Sequence, residues 1–304
     1  METNKILVLG AGELGMSVLR GLAAHSKRGH SKLTVLLRPS ALESASPDKR
    51  RDLVELRSLG ISFQPGDLVS NSEADLKNLF KDFDTVIGCT GFVAGPNIQL
   101  KLARAVLAAG IDRYFPWQFG VDYDVIGRGS GQDLFDEQLE VRNFLRSQSR
   151  VKWVIISTGM FTSFLFEPAF GVVDLERNTV RALGSWDTTV TVTTSEDIGS
   201  LTADIVFFEP RIANEIVYTA GDTISYRRLA DVIDSILERK VRREEWTLPA
   251  LEAALAQAPD DSLRKYRVAF AKGRGVSWNR GKTFNARHNI EIADVARWLR
   301  EHKK

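Results

Sequence analysis

The chain has 304 residues, 43% hydrophobic and 26% charged, enough for one large α/β domain with an appended lobe. Its 41 basic and 39 acidic residues leave a formal net charge of +2, which argues against nucleic-acid and membrane-surface partners. Cys89 is the only cysteine, so an intramolecular disulfide and a multi-cysteine metal site are excluded.

The first half alternates strand and helix patterns, the signature of a parallel sheet with helices on both faces. Lys5–Leu9 is an apolar run suited to a buried central strand, followed by a glycine turn and a helix over Met16–Ala24. Leu33–Leu37 predicts the second strand, Asp52–Leu59 a helix and Ile61–Asp67 a third strand ending in a turn. Leu76–Phe80 predicts a short helix, Thr85–Cys89 the fourth strand and Ile98–Ala109 a helix stopped by Gly110. Arg113–Pro116 predicts the fifth strand, Leu134–Ser147 a helix and Trp153–Ser157 the sixth strand.

From about Thr158 the rhythm loosens, as a substrate lobe interleaved with the sheet would make it. Helices are expected over Asp197–Phe207, Ser225–Arg239, Leu248–Gln257 and Ile292–His302, with a strand at Glu215–Tyr218. The expected architecture is a Rossmann-type doubly wound parallel sheet with a smaller, discontinuous C-terminal lobe. Residues 1–157 form the NAD(P)-binding domain, with later segments returning to it, and 158–304 mainly the substrate lobe. The opening lacks a secretory signal pattern and no apolar run reaches bilayer length, so a cytoplasmic location is expected. The sequence leaves homodimer formation open.

Gly10-Ala11-Gly12-Glu13-Leu14-Gly15 fits G-x-G-x-x-G between a strand and a helix. The first glycine allows the tight turn, the second lets backbone approach a pyrophosphate, and the third lets the helix pack closely. The helix N-terminus then offers free N–H donors to phosphate oxygens. The second strand ends at Arg38, where NAD-binding chains carry an acid for the ribose hydroxyls. A guanidinium there pairs with a 2′-phosphate, with Lys49 and Arg50 adding charge, and so predicts NADPH as cofactor. Thr90-Gly91-Phe92 and Trp117-Gln118-Phe119-Gly120 follow strand ends and should line the same ligand, since α/β sheets bind ligands outside the C-terminal ends of their strands. Phe92 or Phe119 could pack on the nicotinamide or serve as core. Cys89, at a buried strand end, reads as packing rather than a redox switch.

Met160, Phe161 and Phe164 follow the sixth strand, and Trp186 is one of the tryptophans of the later lobe. They suit a flat, apolar small-molecule substrate, and equally the closure of a small core. His25, His30, His288 and His302 read as peripheral, and no His/carboxylate spacing suggests a metal.

These residues resemble the isoflavone reductase-like, NmrA-like branch of atypical short-chain dehydrogenases, in its fungal form, from Lys5 to about Gly221. The resemblance rests on the glycine loop, Leu37-Arg38-Pro39, Gly66-Asp67-Leu68, Asp84-Thr85-Val86-Ile87 and Arg113-Tyr114-Phe115-Pro116-Trp117-Gln118-Phe119-Gly120. It implies an NADPH-dependent reductase of phenolic or polyketide-like small molecules, and the leading expectation is reduction of a ketone, imine or activated C=C in a small aromatic or polyketide-like secondary metabolite. The chain departs from the pattern in its Gly-x-Gly opening and in Trp117-Gln118, where the family has Ser-Glu. On the helix after strand five, Gln138 stands where the family carries its catalytic lysine, and Arg142 is retained as the arginine that helps hold the cofactor. A glutamine can orient a carbonyl but cannot act as a tuned acid or base. No Tyr-x-x-x-Lys pair replaces the lysine; Tyr123 is the phenol nearest the expected pocket, as proton donor or as a cap on the fold. Two alternatives stay open: a non-catalytic NADP(H)-sensing regulator, and a redox-neutral cyclase or isomerase on the same cradle.

Overall fold

The computed structural model describes residues 4–91 and 95–302. Its strands in chain order are β1 (Lys5–Leu9), β2 (Lys32–Leu37), β3 (Ser62–Pro65), β4 (Thr85–Gly88), β5 (Arg113–Phe115), β6 (Lys152–Ser157) and β7 (Met160–Phe161). They continue as β8 (Val173–Asp174), β9 (Thr179–Leu183), β10 (Thr189–Thr193), β11 (Glu215–Tyr218), β12 (Asp222–Ser225) and β13 (Arg242–Trp246). The chain forms two compact units. Unit 1 comprises Met1–Gln118, Glu140–Ile156 and Ile198–Val217; unit 2 comprises Phe119–Leu139, Ser157–Asp197 and Tyr218–Lys304.

Unit 1 is built on a seven-stranded sheet of order β11-β6-β5-β4-β1-β2-β3. β1 lies at its centre because Ile6, Leu7, Val8 and Leu9 are all fully buried, the uninterrupted apolar run of a strand covered on both faces. It pairs in parallel with β2 on one side, Leu9 opposite Leu36, and with β4 on the other, Leu9 opposite Gly88. Strand order therefore reverses between β1 and β4, and the crevice outside their C-terminal ends is where open α/β sheets take ligands.

Three helices begin earlier than periodicity predicts, because their first turns carry polar residues or proline that apolar spacing does not register. Glu13–Ala24 starts directly after Gly12; Pro47–Ser58 has Pro47 at its first position; Glu73–Phe80 opens on a capping box between Ser72 and Asp75. Ile98–Ala109 ends as expected at Gly110, whose φ of +68° is the left-handed cap that favours glycine.

Unit 2 carries two three-stranded sheets, β12-β10-β7 and β13-β9-β8. Apolar pattern hides them. β10 is Thr-Val-Thr-Val-Thr with both faces largely buried, its hydroxyls satisfied by Thr191 bonding Thr223 at 2.8 Å and Thr193 donating to the Thr158 carbonyl at 2.7 Å. β13 reads Arg-Arg-Glu-Glu-Trp, and its Glu244 sits opposite Arg181 of β9 in an ion pair of 2.7 Å. A further helix, Ser262–Ala271, was not anticipated. No helix among the described residues is long and apolar enough to cross a membrane.

Candidate cofactor site

In unit 1 a cavity of about 320 Å³ opens at the C-terminal ends of β1, β2, β3 and β4. The sequence requires this placement. Parallel pairing carries the backbone after each strand to the same edge, and Gly10 N donates to Leu36 O (3.2 Å), Cys89 N to Leu9 O (3.1 Å) and Gly66 N to Leu37 O (2.9 Å). Of the expected cofactor residues, the cavity brings together Gly10, Gly12, Arg38, Lys49, Thr90 and Gly91.

The three glycines do different work. Gly10 has φ +97°, and a Cβ there would stand 2.5 Å from Thr90 Oγ1. That hydroxyl is itself fixed by donating to Leu9 O at 2.9 Å, so β4 is pinned to β1 beneath the loop. A Cβ on Gly15 would lie 2.2 Å from the Gly10 carbonyl oxygen, so the helix packs against the loop only because the side chain is missing. At Gly12 a Cβ would meet nothing within 4 Å: the backbone faces open space at the N-terminus of helix Glu13–Ala24. Glu13 is exposed on the first turn, whereas Leu14 and Gly15 are buried in the packing of that helix.

At another wall stand Arg38 and Lys49, both exposed. Lys49 is 3.8 Å from Asp52 on its own helix, a distance that leaves its charge largely available. Asp67 lines the same cavity. Its carboxylate accepts the Val69 amide at 2.8 Å and the Ser70 amide at 3.3 Å. The Val69 bond, with the Arg38 charge contributing, holds its carboxyl below the usual carboxylate range. Spacing alone gives Asp67 no site role; the β2–β3 register, with Leu37 opposite Pro65, is the signal that sets it beside Arg38. Cys89 also lines the cavity, and burial pushes its thiol up, away from the thiolate form.

Other expected residues lie elsewhere. Phe92 falls outside the described residues. Trp117 stands behind Gly91, where a Cβ would come 2.8 Å from the indole. Arg142 is fully buried in unit 1 and donates Nε to Gln118 Oε1 at 2.8 Å, so the Gln118 that departs from the family pattern is a partner of the arginine that keeps it. Neither Trp117 nor Arg142 is a wall of the cavity.

In unit 2, Gln138 is fully buried on helix Asp133–Arg146, and Phe119 is 3% exposed. Tyr123, 2% exposed, packs edge-on against Phe135 with ring centroids 5.3 Å apart; Phe135 meets Tyr266, and Tyr266 meets Phe164, which stacks on Phe170 at 4.5 Å. Two expected sites, Tyr123 for catalysis and Phe164 for substrate, thus belong to one aromatic cluster. Met160 is buried and Phe161 half-buried on β7. Trp186 stands apart from that cluster's ring contacts, under the Arg243 guanidinium at 5.9 Å. His288 is exposed. Among the described residues no group of three or more His, Cys, Asp or Glu could hold a metal.

Comparison with known proteins agrees with this frame. Residues 2–271 match the NmrA-like family. An NmrA-like family domain-containing oxidoreductase of Gibberella moniliformis is 48% identical over 98% of each chain. An isoflavone reductase homolog of Solanum tuberosum is 27% identical, over 96% of this chain and 94% of its own. The solved structure of AtPrR2 with NADP+ and (+)-pinoresinol superposes with a TM-score of 0.80 over 99% of both chains at 20% identity, a likeness of fold. The extent of the family match, together with the close fungal relative, establishes that this chain belongs to the NmrA-like family.

Proposed function

We propose that this protein is an NADPH-dependent reductase of a ketone, imine or activated C=C in a small aromatic or polyketide-like metabolite. The observation that carries the cofactor reading is a single cavity with bare backbone at Gly12 and two cations, Arg38 and Lys49, on its wall. Open space over Gly12 fits a pyrophosphate approaching the helix N-terminus, and the paired cations fit a 2′-phosphate better than a free ribose hydroxyl. NADPH is also the cofactor type bound in the AtPrR2 structure, as NADP+.

When bound, the cofactor supplies hydride from its nicotinamide ring. The chain's own residues bind and orient. Gly10, Gly12, Thr90 and Gly91 shape the cradle, Arg38 and Lys49 hold the phosphate, and Asp67 steadies Arg38 by charge. Gln138, fully buried, supplies no acid or base, so the proton comes from Tyr123 or from water. Residues after 157, Met160, Phe161 and Phe164 among them, supply the apolar walls. We place the enzyme in the cytoplasm, in secondary metabolism.

A second reading, a sensor that binds NADP(H) and turns nothing over, is favoured by one observation: the family's lysine position holds a buried, non-titrating Gln138. Calorimetry with NADPH, NADP+ and NADH, followed by absorbance at 340 nm with conjugated aromatic enones, separates the readings. The reductase reading expects tighter NADPH than NADH binding and substrate-dependent NADPH loss. Binding without consumption across such a panel favours the sensor, and absence of NADPH uptake overturns both.

A further inference from the structure

Unit 2 contains a separate cavity of about 250 Å³ that the reductase reading does not use. Its walls come from three distant stretches: Asp122 and Val125, Tyr218, and the segment bearing Ser277, Trp278 and Lys282.

The polar wall is built and held. Asp122 is only 8% exposed, and a carboxylate so far from water needs donors. Its Oδ2 accepts the Tyr218 hydroxyl at 2.7 Å, and its Oδ1 accepts the Asp124 amide at 3.2 Å. The Asp122 amide donates to Gly275 O at 2.8 Å, which ties this acid to the far segment. That tie depends on the glycine, since a Cβ on Gly275 would come 2.7 Å from Ile126 Cγ1.

The aromatic wall is equally fixed. Trp278 meets Tyr218 edge-on with ring centroids 5.2 Å apart. Its indole Nε1 donates to Thr219 O at 3.0 Å, and its backbone amide to Thr191 Oγ1 at 3.1 Å. Two rings pinned in this way cannot collapse into the space they border. At the rim Lys282 is exposed, and its ammonium enters no ion pair among the described residues.

The geometry points to a binding site for a small hydroxylated aromatic carboxylate. About 250 Å³ lies just below the roughly 300–1,000 Å³ of drug-sized pockets, so it takes one ring with a short side chain. The ring packs on Trp278, Tyr218 and Val125. The ligand hydroxyl donates to the Asp122 carboxylate, the acidic group that lines the cavity. The ligand carboxylate meets Lys282 at the rim. A cationic amine is disfavoured because the lysine raises the local potential. A polyol would leave the indole face unused.

The test uses the full chain without any dinucleotide, so its outcome is independent of the reductase reading. Titration calorimetry with 4-hydroxycinnamate should give saturable one-to-one binding. Its methyl ester, its 4-methoxy analogue, and the Lys282→Met variant with the parent acid should each weaken binding about tenfold. Lys282 is exposed, so the variant should melt as the parent does. Absence of saturation up to about 5 mM overturns the proposal. So does equal binding of acid and ester, an unchanged affinity in Lys282→Met, or preference for tyramine.

Discussion

The cavity at the head of the large sheet and the cavity around Asp122 are made of different materials. The first is backbone: Gly10, Gly12, Thr90 and Gly91 follow strand ends, and parallel pairing brings them together whatever side chains surround them. The second is side chain: Asp122, Tyr218 and Trp278 meet through one hydroxyl–carboxylate bond and one ring contact. In a backbone cavity the positions that set the chain's path decide whether the space exists, and the side chains on its wall decide only what it holds. A side-chain cavity is editable at every wall.

The largest expected effect lies in the backbone cavity. Gly15→Val sets carbon against the Gly10 carbonyl, with 2.2 Å available at the Cβ alone, and should cost about 3 kcal/mol or more in a denaturant melt. Gly12→Ala, with open space at its Cβ, should melt like the parent yet bind NADPH more weakly in calorimetry. Equal melting of the two variants would break the distinction.

Next comes Gln138→Lys, which places an ammonium at a fully buried position. Burial lowers a lysine pKa, so the folded state prefers the neutral amine. A folded pKa below the unfolded value means stability is complete at high pH and lost as pH falls. The variant's deficit against the parent, roughly 2–4 kcal/mol at pH 7, should shrink toward pH 10 in parallel melts.

Smaller again is Arg38→Asp. Loss of a charge-assisted bond to phosphate should weaken NADPH by about 10- to 100-fold while sparing NADH, read by paired titrations. Equal losses for both dinucleotides would remove Arg38 from the 2′-phosphate. Smallest is Asp67→Asn, worth less than about 1 kcal/mol because the group is partly exposed and screened. Its folded pKa is lowered, so its contribution exists above the ordinary carboxylate pKa and disappears as pH falls through the lowered value. Variant and parent should therefore converge in acid, once the pH falls below the lowered Asp67 pKa.

The same division explains what could be read without coordinates. Strand β1 and helix Ile98–Ala109 were legible to the residue, because continuous apolar runs and a terminal glycine leave little choice. The tight turn between β1 and helix Glu13–Ala24 was legible because glycine spacing encodes a chain path. Asp67 was not singled out as a site residue, since its role depends on which strand lies beside β2. The sheets of unit 2 were missed because β10 buries threonines and β13 is four-fifths charged, patterns that periodicity assigns to surface. Nothing in residue spacing announces that Asp122, Tyr218 and Trp278 would meet.

One side chain has a consequence for how the large sheet comes into being. Arg113 on β5 is 4% exposed, and burial lowers its pKa to about 10. Its guanidinium donates to the carbonyls of Val206 (2.7 Å), Ile205 (3.3 Å) and Ile212 (2.9 Å), closing the end of helix Ser195–Val206. Those acceptors leave the ribosome roughly ninety residues after the arginine. A nascent chain halted near residue 157 holds a sheet lacking its edge strand β11, with a cation stranded inside it. Unit 1 is therefore completed late in synthesis, and an amino-terminal fragment makes a poor substitute for it.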